Sequence, residues 1–306
     1  MRFTLKPLAF AALSCLALSA CQDGNDQVQT AKSASHTATT PAAAVTANLD
    51  ALKKGDLKAL VLSSAPPDMI EHMRTEWTKE MTADPITEED RAKFNETMTM
   101  LTAEGAEQKL WQELEPKFKE LQSEAQLQLP MWIGMGQGVL GSMVDERKDL
   151  NDAQKKQAKD GIQAFGTWAS SAKFLDADLA QKSIGIVCTA ARDMKLESLD
   201  QVRALKFEEA LDKGNIGFRA TKDLLANYGF SVDDVMNTMK AEVVSQEGDA
   251  AKVKVSYQMF QTPLEFESDM VRVDGGWYSK ESVEKLRAEM AGAKTEPAKE
   301  DSAAES

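Results

Sequence analysis

Histidine and cysteine, the side chains most often used in metal binding and nucleophilic catalysis, are scarce in this 306-residue sequence. The two histidines are His36, in a polar stretch, and His72, beside the apolar residues Met73 and Trp77. Neither histidine has zinc-ligand spacing to the other or to a cysteine. A Ser-His-Asp arrangement would have His72 as its only base. We therefore predict no catalytic residue, metal or cofactor, and interpret His72 as an edge residue of a helix.

One stretch matches a phosphate-binding pattern, G-x-G-x-x-G, with glycines at 136, 138 and 141. In a dinucleotide site this pattern forms a turn between a strand and a helix, where backbone N–H groups hold pyrophosphate. Here Pro130 interrupts the preceding segment and no βαβ alternation follows. We therefore predict no nucleotide site in this stretch.

The N-terminus has the organisation of a secretory leader. Arg2 and Lys6 form a positive region, and the apolar run from Leu8 to Leu18 is too short to span a bilayer. The residues that follow, Leu18-Ser-Ala-Cys21, resemble a bacterial lipobox. This resemblance implies that residues 1–20 are a lipoprotein signal peptide, and that Cys21 becomes the first mature residue and carries palmitate-type acyl chains.

The resemblance also implies a location for the mature chain. A diacylglycerol on Cys21, usually joined by a third acyl chain, would anchor the protein firmly, since one chain gives only marginal binding. Gln22 after the cysteine is similar to the outer-membrane sorting pattern of proteobacteria. We expect a lipid-anchored cell-envelope protein at the outer membrane, facing the periplasm. The alternative is a plain secreted protein with a free Cys21 thiol, although Leu18 is large for ordinary cleavage.

The net charge of the chain limits which partners it can bind, and its cysteine content limits which disulfides it can form. The net charge is −13, and removal of the leader would take away Arg2 and Lys6 but no acidic residue. Such a chain repels nucleic acid and anionic headgroups, so we predict no nucleic-acid partner. Cys188 would be the only free thiol after cleavage and lipidation, which leaves no intrachain disulfide. Its apolar neighbours predict a buried, inert thiol.

Helical periodicity dominates the first two thirds of the mature chain. Residues 21–44 are small and polar and predict a flexible tether, while 45–195 form a helical region. Gly55 predicts a helix stop followed by an Asp56 cap, Thr87 opens a capping box, and Gly214 predicts another stop. Acidic clusters at 88–90 and 176–178 fit helix starts better than acid–base chemistry. Residues 292–306 predict a disordered acidic tail.

The segment from Met131 to Met143 is apolar around almost its whole circumference. Gly134, Gly138 and Ser142 lie four residues apart, a spacing that lets another helix approach closely. An all-round apolar helix is normally buried, so the leading expectation is a central core helix. The alternative is a Met-rich groove for a protein partner or a membrane-contacting patch, because methionine surfaces adapt to varied apolar ligands.

The period changes to two in the α+β region, residues 196–291. Val253, Val255, Tyr257 and Met259 alternate with polar residues, and turns at 247–249 and 274–276 bound further strands. The predicted fold class is α+β and mainly α. It comprises a multi-helix body, then a three- to four-stranded antiparallel meander, then a final helix.

The strands carry a second resemblance. The segments 248–255, Met270-Val-Arg-Val273 and Asp274-Gly-Gly-Trp-Tyr278 resemble the closing strands of nuclear-transport-factor-two-like (cystatin-like) domains. Those folds curl a sheet around helices to leave a cone-shaped pocket. The resemblance implies a candidate pocket lined by four residues, Tyr257, Asp269, Trp277 and Tyr278. The family includes enzymes and non-catalytic members, so function does not follow from the fold.

Two functions remain open at this point. The first is a non-enzymatic binding or interaction module, joined to the membrane by its lipid and contacting an envelope protein. The second is a small-ligand carrier or an enzyme that uses the cone-shaped pocket. The absence of a catalytic constellation in the sequence favours the first function.

Overall fold

The computed structural model describes residues 38–148 and 150–293 of the chain. The predicted signal peptide, the lipidated Cys21, most of the tether and the tail from 294 lie outside these residues. Within the described part, the mainly helical α+β fold with a C-terminal antiparallel meander and a final helix is confirmed. The helices are α1 Pro41–Lys54, α2 Leu57–Ser64, α3 Pro67–Ala83, α4 Glu88–Thr102, α5 Ala106–Glu146, α6 Asp152–Ser171, α7 Ala177–Met194, α8 Leu199–Arg203, α9 Phe207–Asn227, α10 Val232–Thr238 and α11 Lys280–Ala293. The strands are β1 Lys240–Glu247, β2 Ala250–Met259, β3 Thr262–Val273 and β4 Gly276–Ser279.

Helix α1 begins at Pro41, earlier than the expected start at Val45, because two start signals lie there. The Thr40 side chain accepts a hydrogen bond from the Ala43 N–H, and proline is tolerated in the first helical turn. The predicted stop at Gly55 is confirmed, with φ of 65°. Any side chain at residue 55 would be strained by this φ and would overlap Arg219 of α9.

The predicted helix stop at Gly214 is wrong, because helix α9 runs from Phe207 through this glycine to Asn227. A Cβ atom at residue 214 would lie 2.9 Å from Leu57 Cδ2, so the glycine permits close helix packing rather than ending the helix. The Asn215 side chain accepts from the Lys58 N–H at 3.0 Å and donates to the Asp56 carboxylate at 3.3 Å. Helix α9 therefore fixes the junction between α1 and α2.

Helix α5 is a single element of 41 residues that contains both Pro116 and Pro130. The predicted break at Pro130 is wrong, because the helix continues across it. At 1.5 Å per residue the helix is about 60 Å long, and it packs against α4, α6 and α7. It forms an outer layer of the molecule, separated from the sheet by α6.

The four strands form a meander in the order β1-β2-β3-β4, with every neighbouring pair antiparallel. The predicted alternation in β2 is confirmed. Val253 and Val255 are fully buried and pack against Ala44 and Val45 of α1. The opposite face is covered near β4, where Tyr278 packs with residues of α3 and α11. Farther along β2 and β3, that face carries pairs of charged side chains, including Lys254 with Glu265 at 2.7 Å.

Candidate functional site

The most unusual surface of the described chain lies on the C-terminal half of α5. Six large apolar side chains there are exposed, and we call them the α5 surface: Met131, Trp132, Met135, Val139, Leu140 and Met143. Met135 and Met143 are each 59% exposed, and Trp132 is 47% exposed. Trp132, Met135, Val139 and Met143 recur at intervals of three or four residues, so they share one side of the helix. The stretch 125–144 contains no charged residue.

Helix α6 covers the other side of this segment. Ile133, Gln137, Gly141 and Val144 are less exposed than their neighbours and recur at helical spacing. The Gln137 amide donates to the Ile162 carbonyl oxygen at 3.4 Å. Beyond the segment, Lys159 of α6 pairs with Asp145 at 2.6 Å. One neighbouring helix therefore orients the α5 surface away from the rest of the chain.

The leading expectation of a central core helix at 131–143 is wrong. The physical reason is that α5 lies in the outermost layer, so α6 buries only one side of it. An apolar composition on every side cannot distinguish a helix buried within its own chain from one whose second neighbour is another molecule. The alternative expectation, a Met-rich contact surface, agrees with the observed exposure.

Glycine makes this half of α5 an intrinsically weak helix. Cβ atoms built at Gly134, Gly136, Gly138 and Gly141 would meet nothing within 4 Å. No contact within the described chain therefore requires glycine at these positions. Each glycine costs an exposed helix about 1 kcal/mol relative to alanine. The segment is therefore weaker as an isolated helix than an alanine-containing segment would be.

The α5 surface is large for a monomer. An aromatic side chain offers about 150–250 Å², and methionine, leucine and valine side chains offer less. About half of each of these six side chains is exposed. The exposed apolar area is thus about 500 Å², within the range of the largest patches on soluble monomers. Its side chains are apolar and none can transfer a proton, so the chemistry it offers is apolar contact. Flexible thioethers let such a contact adapt its shape.

The four residues predicted to line a pocket lie in three different environments. Trp277 is buried with Val253 and Met270 beneath α1. Tyr257 packs toward α2 and α10, with its ring 6.1 Å from that of Phe266. Burial raises the pKa of the Tyr257 hydroxyl above its ordinary value. Both side chains are part of the packed core.

Asp269 and Tyr278 share the third environment, a cleft beside β3. Tyr278 is buried beside α3 and α11, and its pKa is raised by burial and by the nearby carboxylates of Asp274 and Asp68. Asp269 pairs with Lys252 at 3.3 Å on the charged face of the sheet.

Both residues line a cleft of ≈ 440 Å³ at the edge of β3, between α1, α2 and the start of α11. Asn48, Ser63 and Ser268 are among the polar side chains around this cleft. Tyr257 and Trp277 do not contribute to its lining.

Sequence reasoning missed an aromatic cluster beside the sheet. It contains six rings, from Phe165, Trp168, Phe174, Tyr228, Phe230 and Phe260. The Trp168 indole N–H donates to the Tyr228 carbonyl oxygen at 2.8 Å, and its ring stacks on that of Phe260 at 6.0 Å. The cluster joins α6, the end of α9 and the β2–β3 turn. Residues so far apart in sequence left no periodic signal that would have predicted it.

The other candidate residues from the sequence, the G-x-G-x-x-G glycines, Cys188 and His72, all lie within helices. The G-x-G-x-x-G glycines lie inside helix α5 rather than in a strand-to-helix loop. Cys188 is fully buried, which confirms the prediction of a buried thiol. Its pKa is raised by burial and by the nearby Glu107 carboxylate. His72 lies on α3, half-buried beside Met73. In the part of the chain that the structure describes, no group of three or more His, Cys, Asp or Glu side chains could hold a metal ion.

Comparison with family models, with curated proteins and with solved structures gave no match for this chain. Among residues 38–148 and 150–293, no helix is both long enough and apolar enough to cross a bilayer.

Proposed function

We propose that this protein is a non-enzymatic interaction module of the bacterial cell envelope. In this proposal, acyl chains on Cys21 hold it at the outer membrane, facing the periplasm. The α5 surface contacts an apolar protein surface. The observation that carries the proposal is the exposure of six large apolar side chains within a stretch free of charged residues. Contiguous apolar patches of this size mark interaction sites.

The position of the α5 surface supports a role in binding. It lies on a long outer helix, on the side away from the sheet. A partner can therefore cover it without rearranging the core. The tether predicted at 21–44 would allow the folded part to reach partners near the membrane. Anchoring also raises the local concentration of partners in the same envelope, so that modest affinity is sufficient.

The cleft at the edge of β3 gives the second candidate function, a small-ligand carrier or an enzyme. Its volume of ≈ 440 Å³ is within the range of ligand sites, and Asp269, Tyr278 and Lys280 bring charge and hydroxyl groups to its wall. Co-purification of a small molecule that Ser268→Trp expels would favour this function. Retention of the same molecule by Ser268→Trp would exclude the cleft as its site.

In-cell photo-crosslinking tests the interaction function. A photoreactive residue replaces Met135 on the α5 surface or, as the matched control, Met100 of α4, which is 45% exposed. We expect crosslinked protein adducts from position 135 and few from position 100. Equal yields from the two positions would contradict the proposal.

A separate experiment tests the anchor. We expect Cys21→Ser to release the protein from the envelope fraction or to stall its processing. A Cys21→Ser chain that still partitions into detergent as the natural chain does would refute the anchor and leave the α5 surface untouched.

A further inference from the structure

The remainder of this chain offers no segment suited to cover the α5 surface. Residues 22–37 contain a single large apolar side chain, Val28, and residues 294–306 contain none. The apolar leader would be removed with the signal peptide proposed above. Neither segment has the apolar side chains to cover the α5 surface, which favours another molecule as its occupant.

A second copy of this chain matches the surface electrostatically. The full sequence has a net charge of −13, and loss of Arg2 and Lys6 with the leader would make it −13 − 2 = −15, so two copies repel each other over most of their surfaces; the 20 residues 125–144 carry no charge. This stretch is where two copies meet with the least repulsion. In a parallel pair Asp145 and Glu146 would face their own counterparts. In an antiparallel pair centred near residue 137, they would face the uncharged residues near 128–130 of the other copy.

The exposed area is sufficient for a dimer with a small interface. About 500 Å² from each copy gives about 1,000 Å² in total, close to the smallest area expected of a specific protein interface. A two-fold axis between the helices would use the same surface twice, as the commonest homodimers do. The result is a layer in which α6 and α5 of one copy meet α5 and α6 of the other in a row.

The glycines favour a helix over a lipid surface as the occupant. Gly134 and Gly138 leave open space where side chains would otherwise stand. A second helix can use that space to bring its backbone close to α5. A fluid lipid surface can fit around side chains of any size, so glycine at these positions would not strengthen its contact with α5. The acidic charge of the chain also disfavours adsorption to anionic headgroups.

We propose that the α5 surface is occupied by the α5 surface of a second copy, packed antiparallel across residues 131–143. This inference rests on the proposed function, because it names the partner of the same surface. Met131 of one copy then lies beside Met143 of the other, and Val139 lies beside Met135. The dimer brings two anchored chains together through their outer helices.

Cysteine crosslinking of the full chain in membranes tests the arrangement. Differently tagged copies carrying Met131→Cys or Met143→Cys are co-expressed and oxidised, and the unsubstituted chain is treated in the same way. Cys188 is fully buried and does not compete. We expect the mixed 131–143 pair to exceed both same-site pairs several-fold. Dominant 131–131 crosslinking would overturn the antiparallel arrangement.

Sedimentation of the purified full chain in detergent measures the strength of the contact. We expect Met135→Glu combined with Val139→Glu to weaken self-association by about a hundredfold or more, because both carboxylates would be buried against apolar side chains. Met100→Glu is the matched control and leaves association unchanged. Circular dichroism should show that the double variant stays folded, since both side chains are exposed within one chain.

The outcomes separate this inference from the proposed function. If position 135 crosslinks to a different protein and never to a second copy, the self-association is refuted and the interaction function stands. If position 135 behaves like position 100 and the chain sediments as a monomer at every concentration, both are refuted.

Discussion

Truncation of two methionines distinguishes an exposed helix face from a core helix. Met135 is 59% exposed, whereas Met69 of α3 is fully buried. Full burial of a methionine side chain contributes about 1.5–3 kcal/mol, so the covered two fifths of Met135 contribute about 1 kcal/mol. Alanine also favours the helix slightly more than methionine does. We therefore expect Met135→Ala to lower the free energy of unfolding by less than about 1 kcal/mol.

Met69→Ala is the internal standard for a core position. It removes a fully buried side chain from a cluster that includes Ile70 and Phe207, and such truncations cost about 2–5 kcal/mol. Urea unfolding followed by far-ultraviolet circular dichroism measures both variants, at dilution low enough to populate monomers and with equal m-values as a check. A loss for Met135→Ala as large as that for Met69→Ala would refute the exposed position of the α5 surface.

Three further predictions concern α5, the α1–α2 junction and acid stability. Gly138→Ala should stabilise α5 of the monomer by about 1 kcal/mol, because the new Cβ meets nothing within 4 Å. Amide hydrogen exchange in α5 should then become slower, and faster exchange would contradict this. Gly55→Ala should destabilise the fold in urea by about 1 kcal/mol or more, since φ is 65° and the new methyl group overlaps Arg219; an unchanged midpoint would contradict it. Burial raises the pKa of Glu208, but the hydrogen bond from Arg74 at 2.5 Å and the attraction between the two charges lower it by more, so the net pKa is below its ordinary value. The stability from this carboxylate is full above the unfolded pKa, about 4.3, and is lost as pH falls through the folded pKa. Glu208→Gln should flatten that part of the acid-unfolding curve, and an unaltered curve would contradict the assignment.

Local signals in the sequence predicted much of the fold. The capping box at Thr87, the stop at Gly55 and the alternation through Val253 and Val255 depend on neighbouring residues, and each is present in the structure. The burial of Cys188 followed from the apolar run around it. These features are encoded within a few residues, so periodicity and capping chemistry were sufficient.

Features set by distant neighbours could not be predicted in the same way. Gly214 has the composition of a helix stop, yet Leu57 of another helix determines its role. The α5 segment has the composition of a core helix, yet within residues 38–148 and 150–293 it is covered by α6 alone. Tyr257 and Trp277 follow the strand pattern correctly, but packing of α1, α2 and α10 against the sheet places them in the core. Which element covers which face depends on tertiary packing that a single sequence does not display.

Methionine oxidation in intact envelopes tests the central claim, that the α5 surface is a contact surface, without any substitution. Peroxide converts accessible methionine to the sulfoxide, and peptide mass spectrometry measures the rate at each position. Met100 is the exposed standard and Met69 the buried one. We predict that Met135 oxidises as slowly as Met69 in the envelope and as fast as Met100 in the dilute purified chain. Oxidation of Met135 at the rate of Met100 in both settings would contradict it.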